Sequence, residues 1–148
     1  MVDIALLNRL LLNLDSYHRD LGSVQNMRLE TFSTDIRSQR FVERTLHIAI
    51  ECCLDICHHI ISDQKWREPS SYADAFGVLA ENGVLPTDSL EQYRLMAQFR
   101  NRLVHYYEKV EPNQVFIIAR TRRDDFTAFA AAVRLWLSRP EPTAEPVA

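Results

Sequence analysis

The segment Arg100-Asn101-Arg102-Leu103-Val104-His105-Tyr106-Tyr107 places guanidinium, imidazole and phenol groups within eight residues. These are the groups that metal-free cleavage of RNA would need. One imidazole takes the proton from a ribose 2′-OH, another protonates the departing 5′-oxygen, and a guanidinium neutralises charge building on the phosphorus oxygens. The nucleophile belongs to the RNA, so neither a protein nucleophile nor a cofactor is required. On a helix turning about 100° per residue, Arg100 and His105 lie about 140° apart, Asn101 and His105 about 40°, and Arg100 and Tyr107 about 20°. A straight helix therefore cannot easily aim Arg100 and His105 at one atom. Either the helix is distorted or ends near the motif, or two copies of the segment meet across a two-fold dimer interface, bringing two imidazoles and two guanidiniums to one cleft. By spacing alone, His105 also suits a polar helix-end or interface residue, and Tyr107 an interface aromatic.

A second set of polar groups recurs at helical steps upstream: Arg44, His47, Glu51, Asp55 and His58 share one sector. Zinc ligation is one reading, but no closed ligand set is evident, so no metal is expected here or at Cys53, Cys57 and His58. An internal network, in which Glu51 or Asp55 orients Arg100 or His105 across the fold, is the stronger reading, with a merely solvated face beside it.

The elements that must carry these residues are helical almost throughout. Ile4, Leu7, Leu11, Leu14 and Leu21 define a first helix over about 3–22 behind an Asp3 cap. A polar stretch from Gly22 to Asp35 precedes a long helix over about 34–62, carrying Phe41, Leu46, Ile50, Leu54, Cys57 and Ile61. Ser71 and Asp74 suit a capping box for a helix over about 71–82, with Gly83 as its C-terminal cap. After the break at Pro86, a helix from Asp88 should run through the octet until just before Pro112. Val115 to Ala119 has strand composition, but a lone strand would have no partner, so it is assigned to helix. A last helix starts near Asp124-Asp125 and buries Phe126, Phe129, Ala130, Val133 and Leu137. Residues 1–138 then form one domain, and residues 139–148, with Pro140, Pro142 and Pro146, a disordered tail. The fold class is all-α, an antiparallel bundle without repeats.

Composition narrows the functions this bundle can carry. At 148 residues the chain has the size of one domain, and three glycines exclude a glycine-rich phosphate loop. A net charge of −3 lacks the footprint of a protein that coats nucleic acid, so any such contact is local. The candidate cations are Arg94, Arg100, Arg102 and Lys109, then Arg120, Arg122 and Arg123, the last three equally readable as a solvated face. No apolar run reaches membrane-spanning length and Met1-Val2-Asp3 lacks a basic signal-peptide start, so a cytoplasmic location is expected. Cys52, Cys53 and Cys57 read as core fillers in a reducing compartment.

Arginine, four residues, histidine, one residue, tyrosine: the pattern of Arg100, His105 and Tyr107 resembles the signature of HepT-type toxins in the HEPN superfamily, and each defining position is filled. Phe41 to Ile61 is similar to that family's long second helix, and Ser71 to Phe76 with Leu79 to Val84 to the helix and turn preceding its motif. The similarity spans about residues 4 to 138, and His58 departs from it where Asn or a small polar residue is common. The resemblance implies a symmetric dimer of HEPN-type bundles with additional short helices, and the ribonuclease toxin of a type VII toxin–antitoxin system. It implies that Arg100 and His105 are catalytic, in a composite site that the residue spacing would support with Asn101 on the same helix and Glu51 or Asp55 across the fold. It also implies a partner, a minimal nucleotidyltransferase antitoxin of MntA type, which transfers AMP from ATP onto the motif tyrosine, here Tyr107. Phosphates and adenine placed beside Arg100 would occupy its anion site and repel RNA. Transfer RNA is the substrate class that analogy suggests. The alternative is a noncatalytic HEPN domain that binds nucleotide or scaffolds a nucleotidyltransferase.

Overall fold

The computed structural model describes residues 2–106 and 110–140. Seven α-helices follow one another among these residues: α1 (Ile4–Leu21), α2 (Leu29–Thr34), α3 (Ile36–Gln64), α4 (Tyr72–Glu81), α5 (Leu90–His105), α6 (Pro112–Thr121) and α7 (Asp124–Leu137), with 3-10 turns at Gly22–Val24 and Thr87–Ser89. The described residues contain no strand, and the Val115 to Ala119 segment is helical.

The long α3 is the centre of the assembly, packing against α1, α4, α5 and α6. Asp35 starts it: its carboxylate accepts from the Ser38 amide at 3.3 Å and the Ser38 hydroxyl at 2.8 Å, which holds its pKa below the ordinary carboxylate value. Lys65, in the left-handed conformation at φ 58°, ends it. The buried stripe runs through Val42, Leu46, Ala49, Ile50, Cys53, Ile56, Cys57 and Ile60. Phe41, expected in that stripe, is exposed instead; five residues from Leu46 it is rotated about 140° away, and Val42 takes its place. All three cysteines are buried and free.

An aromatic cluster joins α4, α5 and α7. Phe76 stacks on Tyr93 at 5.1 Å between centroids, and Phe129 meets both edge-on at 6.0 and 5.9 Å. Burial pushes the Tyr93 phenol up to about 12.

The polar stretch after Gly22 holds more structure than its composition indicates. Buried Phe32 anchors α2 by packing at 5.2 Å on Phe116 of α6, and Gln39 donates to the carbonyls of Phe32 and Ser33 at that helix's C-terminal end. Asp3 and Ser71 cap α1 and α4 as expected. The capping box is not reciprocal, because Asp74 accepts from the amide and hydroxyl of Ser70 and from Arg67. Gly83 follows with φ +78°, where its lack of a side chain is needed.

Helix α5 departs from expectation where it matters most. It stops at His105, with Tyr106 at φ −134° and ψ 34° leaving helical geometry. Pro112 does not follow its end but opens α6 at the first helical position, where its fixed φ is favourable. Arg102 and His105 occupy the last turn of α5, where positive groups complement the exposed carbonyls. Tyr107, Lys109 and the tail from residue 141 lie outside the described residues. No helix among the described residues is long and apolar enough to cross a membrane.

Candidate active site

The octet's arginine is held by the polar face of α3. Glu51 accepts from Arg100 Nε at 2.5 Å, and the same carboxylate oxygen lies 3.4 Å from His47 Nε2. One turn earlier, Arg44 Nη1 stands 3.2 Å from His47 Nδ1. A guanidinium can only donate, so Nδ1 accepts there and the ring proton of neutral His47 sits on Nε2, facing Glu51. Arg44, His47, Glu51 and Arg100 thus form one relay between α3 and α5, the polar network expected from their spacing. Asp55, one turn beyond Glu51, is exposed and makes no hydrogen bond or ion pair to Arg100 or His105. It acts on a neighbour instead: burial, with the Asp55 charge second, pushes the Cys52 thiol up to about 12.

Arg100 is gripped from two further directions. Its guanidinium lies 4.8 Å from the ring centroid of Tyr72, the first residue of α4, and Nη1 donates to Asn101 Oδ1 at 3.3 Å. Only 13% of its side chain is exposed. Of its five N–H donors, Nε and one on Nη1 are engaged, leaving the second on Nη1 and both on Nη2 without a partner among the described residues. No buried side-chain polar atom there lacks a hydrogen bond, so Nη2 reaches solvent.

His105, the last residue of α5, is exposed, its ring 6.5 Å from that of Tyr106. It lines an open cleft of about 560 Å³ with Asn101, His58, Tyr72, Ser70 and Ser71. Because α5 is continuous from Arg100 to His105, the two point in different directions: His105 faces the cleft, while Arg100 backs Tyr72 on the side of Glu51. Asn101 belongs to both settings, bonding Arg100 and lining the cleft.

Tyr72 is the residue that spacing did not reveal. In the sequence it was only the position after a helix cap, and its meeting with Arg100 depends on how α4 packs against α5. His58 is likewise drawn in by tertiary packing, its ring 6.3 Å from that of Tyr72.

The C-terminal arginines divide by role. Arg123 donates to the His18 carbonyl at 2.9 Å, tying α7 to α1, and Arg120 lies 5.2 Å from the Phe116 ring centroid. Arg102 donates to Gln114 Oε1 at 2.6 Å. Among the described residues no group of three or more His, Cys, Asp or Glu is placed to hold a metal ion.

Comparison with known proteins places this geometry in a family. The chain is 26% identical over 121 residues to the tRNA nuclease HepT of Aphanizomenon flos-aquae, covering 82% of each chain. It is 28% identical over 103 residues to the mRNA nuclease HepT of Shewanella oneidensis, covering 70% of this chain and 77% of that one. The tri-AMPylated HEPN toxin of Shewanella oneidensis, solved in complex with MNT antitoxin, has the same fold, with a TM-score of 0.80 at 24% identity over 91% of this chain and 99% of that one. The family model described as ribonuclease HepT-like matches residues 14–133, a span that includes Glu51, Tyr72, Arg100 and His105. With that match over most of its length and the motif set at the end of α5, the chain belongs to the ribonuclease HepT-like family.

Proposed function

We propose that this protein is the endoribonuclease toxin of a type VII toxin–antitoxin pair, cleaving RNA in the cytoplasm without a metal. The observation that carries the reading is Arg100 itself: Glu51 fixes the guanidinium while Nη2 and half of Nη1 stay available for a phosphate. The imidazole of His105 is exposed on the same helix.

The reaction is an internal transesterification. A neutral His105 accepts the 2′-OH proton as the 2′-oxygen attacks the adjacent phosphorus, and a protonated His105 of a second copy donates to the 5′-oxygen as the P–O5′ bond breaks. Arg100 stabilises the added negative charge on the non-bridging oxygens. The products are a 2′,3′-cyclic phosphate and a 5′-hydroxyl. A homodimer that brings two copies of the octet together supplies both imidazoles, and the divergence of Arg100 and His105 along an unbroken α5 supports that arrangement. The named activities of the Aphanizomenon and Shewanella relatives make transfer RNA and messenger RNA the substrate classes to test.

Regulation follows the neighbour solved as a tri-AMPylated toxin with MNT antitoxin. An MntA-type nucleotidyltransferase adds AMP to Tyr107, and the new phosphates compete for Arg100. Antitoxin that still adenylylates and silences a Tyr107→Phe variant would move this role to another residue.

A second reading keeps the chain noncatalytic, a nucleotide-binding or scaffold partner of a nucleotidyltransferase. The low exposure of Arg100 and its contacts with Glu51, Tyr72 and Asn101 favour it, since they suit a structural pin. One assay decides: cleavage of purified RNA in excess chelator by the wild type and by His105→Ala. The nuclease reading requires activity in the first and its loss in the second; activity in neither sinks it.

A further inference from the structure

Resting on the nuclease reading, the cleft beside His105 has features that acid–base chemistry and phosphate neutralisation leave unused. Tyr72 stands in it as a half-exposed ring, 42% accessible, although α4 is otherwise buried through Ala75, Phe76, Val78, Leu79 and Ala80. The ring is not loose. The Arg100 guanidinium lies 4.8 Å from its centroid, and the His58 imidazole sits at 6.3 Å, tilted by 54°. Arg100 is in turn pinned by Glu51, so the aromatic surface is held from behind by a fixed cation. Around it are an amide on Asn101, imidazoles on His58 and His105, and hydroxyls on Ser70 and Ser71.

We propose that this cleft is a nucleobase subsite: Tyr72 is the stacking platform for the base of the RNA nucleotide flanking the scissile bond, with Asn101 and His58 at the base edge. Three physical points carry it. A π face buttressed by a cation is a good partner for the face of a nucleobase, and stacking of this kind tolerates every base. Single-stranded RNA is read by splaying bases onto aromatic side chains and bonding their edges with short polar groups, and the lining supplies both chemistries. The placement also fits, because Tyr72 touches Arg100, assigned to the phosphate, on one side and lines the cleft shared with His105 on the other. Seating the base orients the 2′-OH and restricts cleavage to single-stranded positions.

The test uses the full-length protein and single-stranded oligoribonucleotides that carry either a normal base or an abasic ribose at the nucleotide flanking the cleaved bond. In wild type, removing the base should lower kcat/KM by about 10-fold, mostly through KM, within the range of one stacked base. Tyr72→Leu should lose the discrimination between the two substrates. Tyr72→Phe should keep both the rate and the discrimination, which separates stacking from any use of the hydroxyl. The two exposed-site variants should match wild type in circular dichroism and melting temperature. Tyr72→Leu that still discriminates as wild type does, or a wild type indifferent to the abasic site, overturns the subsite while leaving the nuclease reading intact. A wild type that cleaves neither RNA overturns both.

Discussion

Removing Glu51 tests whether the α3 relay serves the chemistry or merely the fold. Glu51 holds Arg100 Nε at 2.5 Å, with side-chain exposures of 34% for the carboxylate and 13% for the guanidinium. A hydrogen bond between charged groups contributes about 1.5–3 kcal/mol. Solvent reaches the carboxylate, so screening reduces this to about 1–2 kcal/mol. If that energy aims the guanidinium at the phosphate, Glu51→Ala should lower kcat by about 5- to 30-fold, each 1.36 kcal/mol being tenfold. KM should hold or fall, because Arg100 is released from a competing carboxylate and still attracts RNA. Glu51→Gln, which keeps an acceptor oxygen but loses the charge, should fall between the two, and Arg100→Ala should lose more than either. The assay is single-turnover cleavage of an end-labelled RNA in chelator, with melting temperature recorded for each variant. Glu51→Ala within twofold of wild type, alongside an inactive Arg100→Ala, would refute the argument: the arginine would then find its place without the carboxylate.

Two further outcomes follow from the fold itself. The Arg67 guanidinium, at 2.7 and 2.8 Å, and the Ser70 amide hold the Asp74 carboxyl well below its ordinary value of 3.8. A pKa lowered by folding contributes stability that is full above the unfolded value and is lost as pH falls below it. The urea midpoint of Asp74→Asn should therefore lie below that of wild type at pH 6 and approach it near pH 3; a gap that widens on acidification would contradict the assignment. Burial raises the thiols of Cys52, Cys53 and Cys57, so none should react promptly with Ellman's reagent at pH 8 in the native protein, and all three should react after unfolding. A fast-reacting thiol in the folded state would show that this part of α3 opens.

Local rules carried most of the secondary structure and failed where distant residues intervene. Asp3, Ser71 and Asp35 can be read as caps because the side chain and the amide it accepts from are three residues apart. The octet was visible for a similar reason, since reactive side chains close in sequence stay close in space. The α2 helix was missed because its stability comes from Phe32 meeting Phe116, eighty-four positions away. Helix α5 was drawn too long because Pro112 was taken as a terminator; it opens a new helix instead, and the chain had left helical geometry by Tyr106.

What the sequence determined by itself is therefore the inventory: an all-helical chain, a motif with Arg100 and His105 about 140° apart, and a polar face on α3 with helical period. Periodicity is a property of one helix, and one helix suffices to read it. Which member of that face meets Arg100 was decided only by packing. The docking of α5 on α3 selected Glu51 over Asp55 as the partner of Arg100, and the docking of α4 on α5 set Tyr72 against the guanidinium. Helix spacing fixes the direction of a side chain relative to its own axis. The distance between two side chains on different helices depends on how those axes cross, and that is set by the whole core of Leu46, Ile50, Phe76, Tyr93 and Phe129 at once.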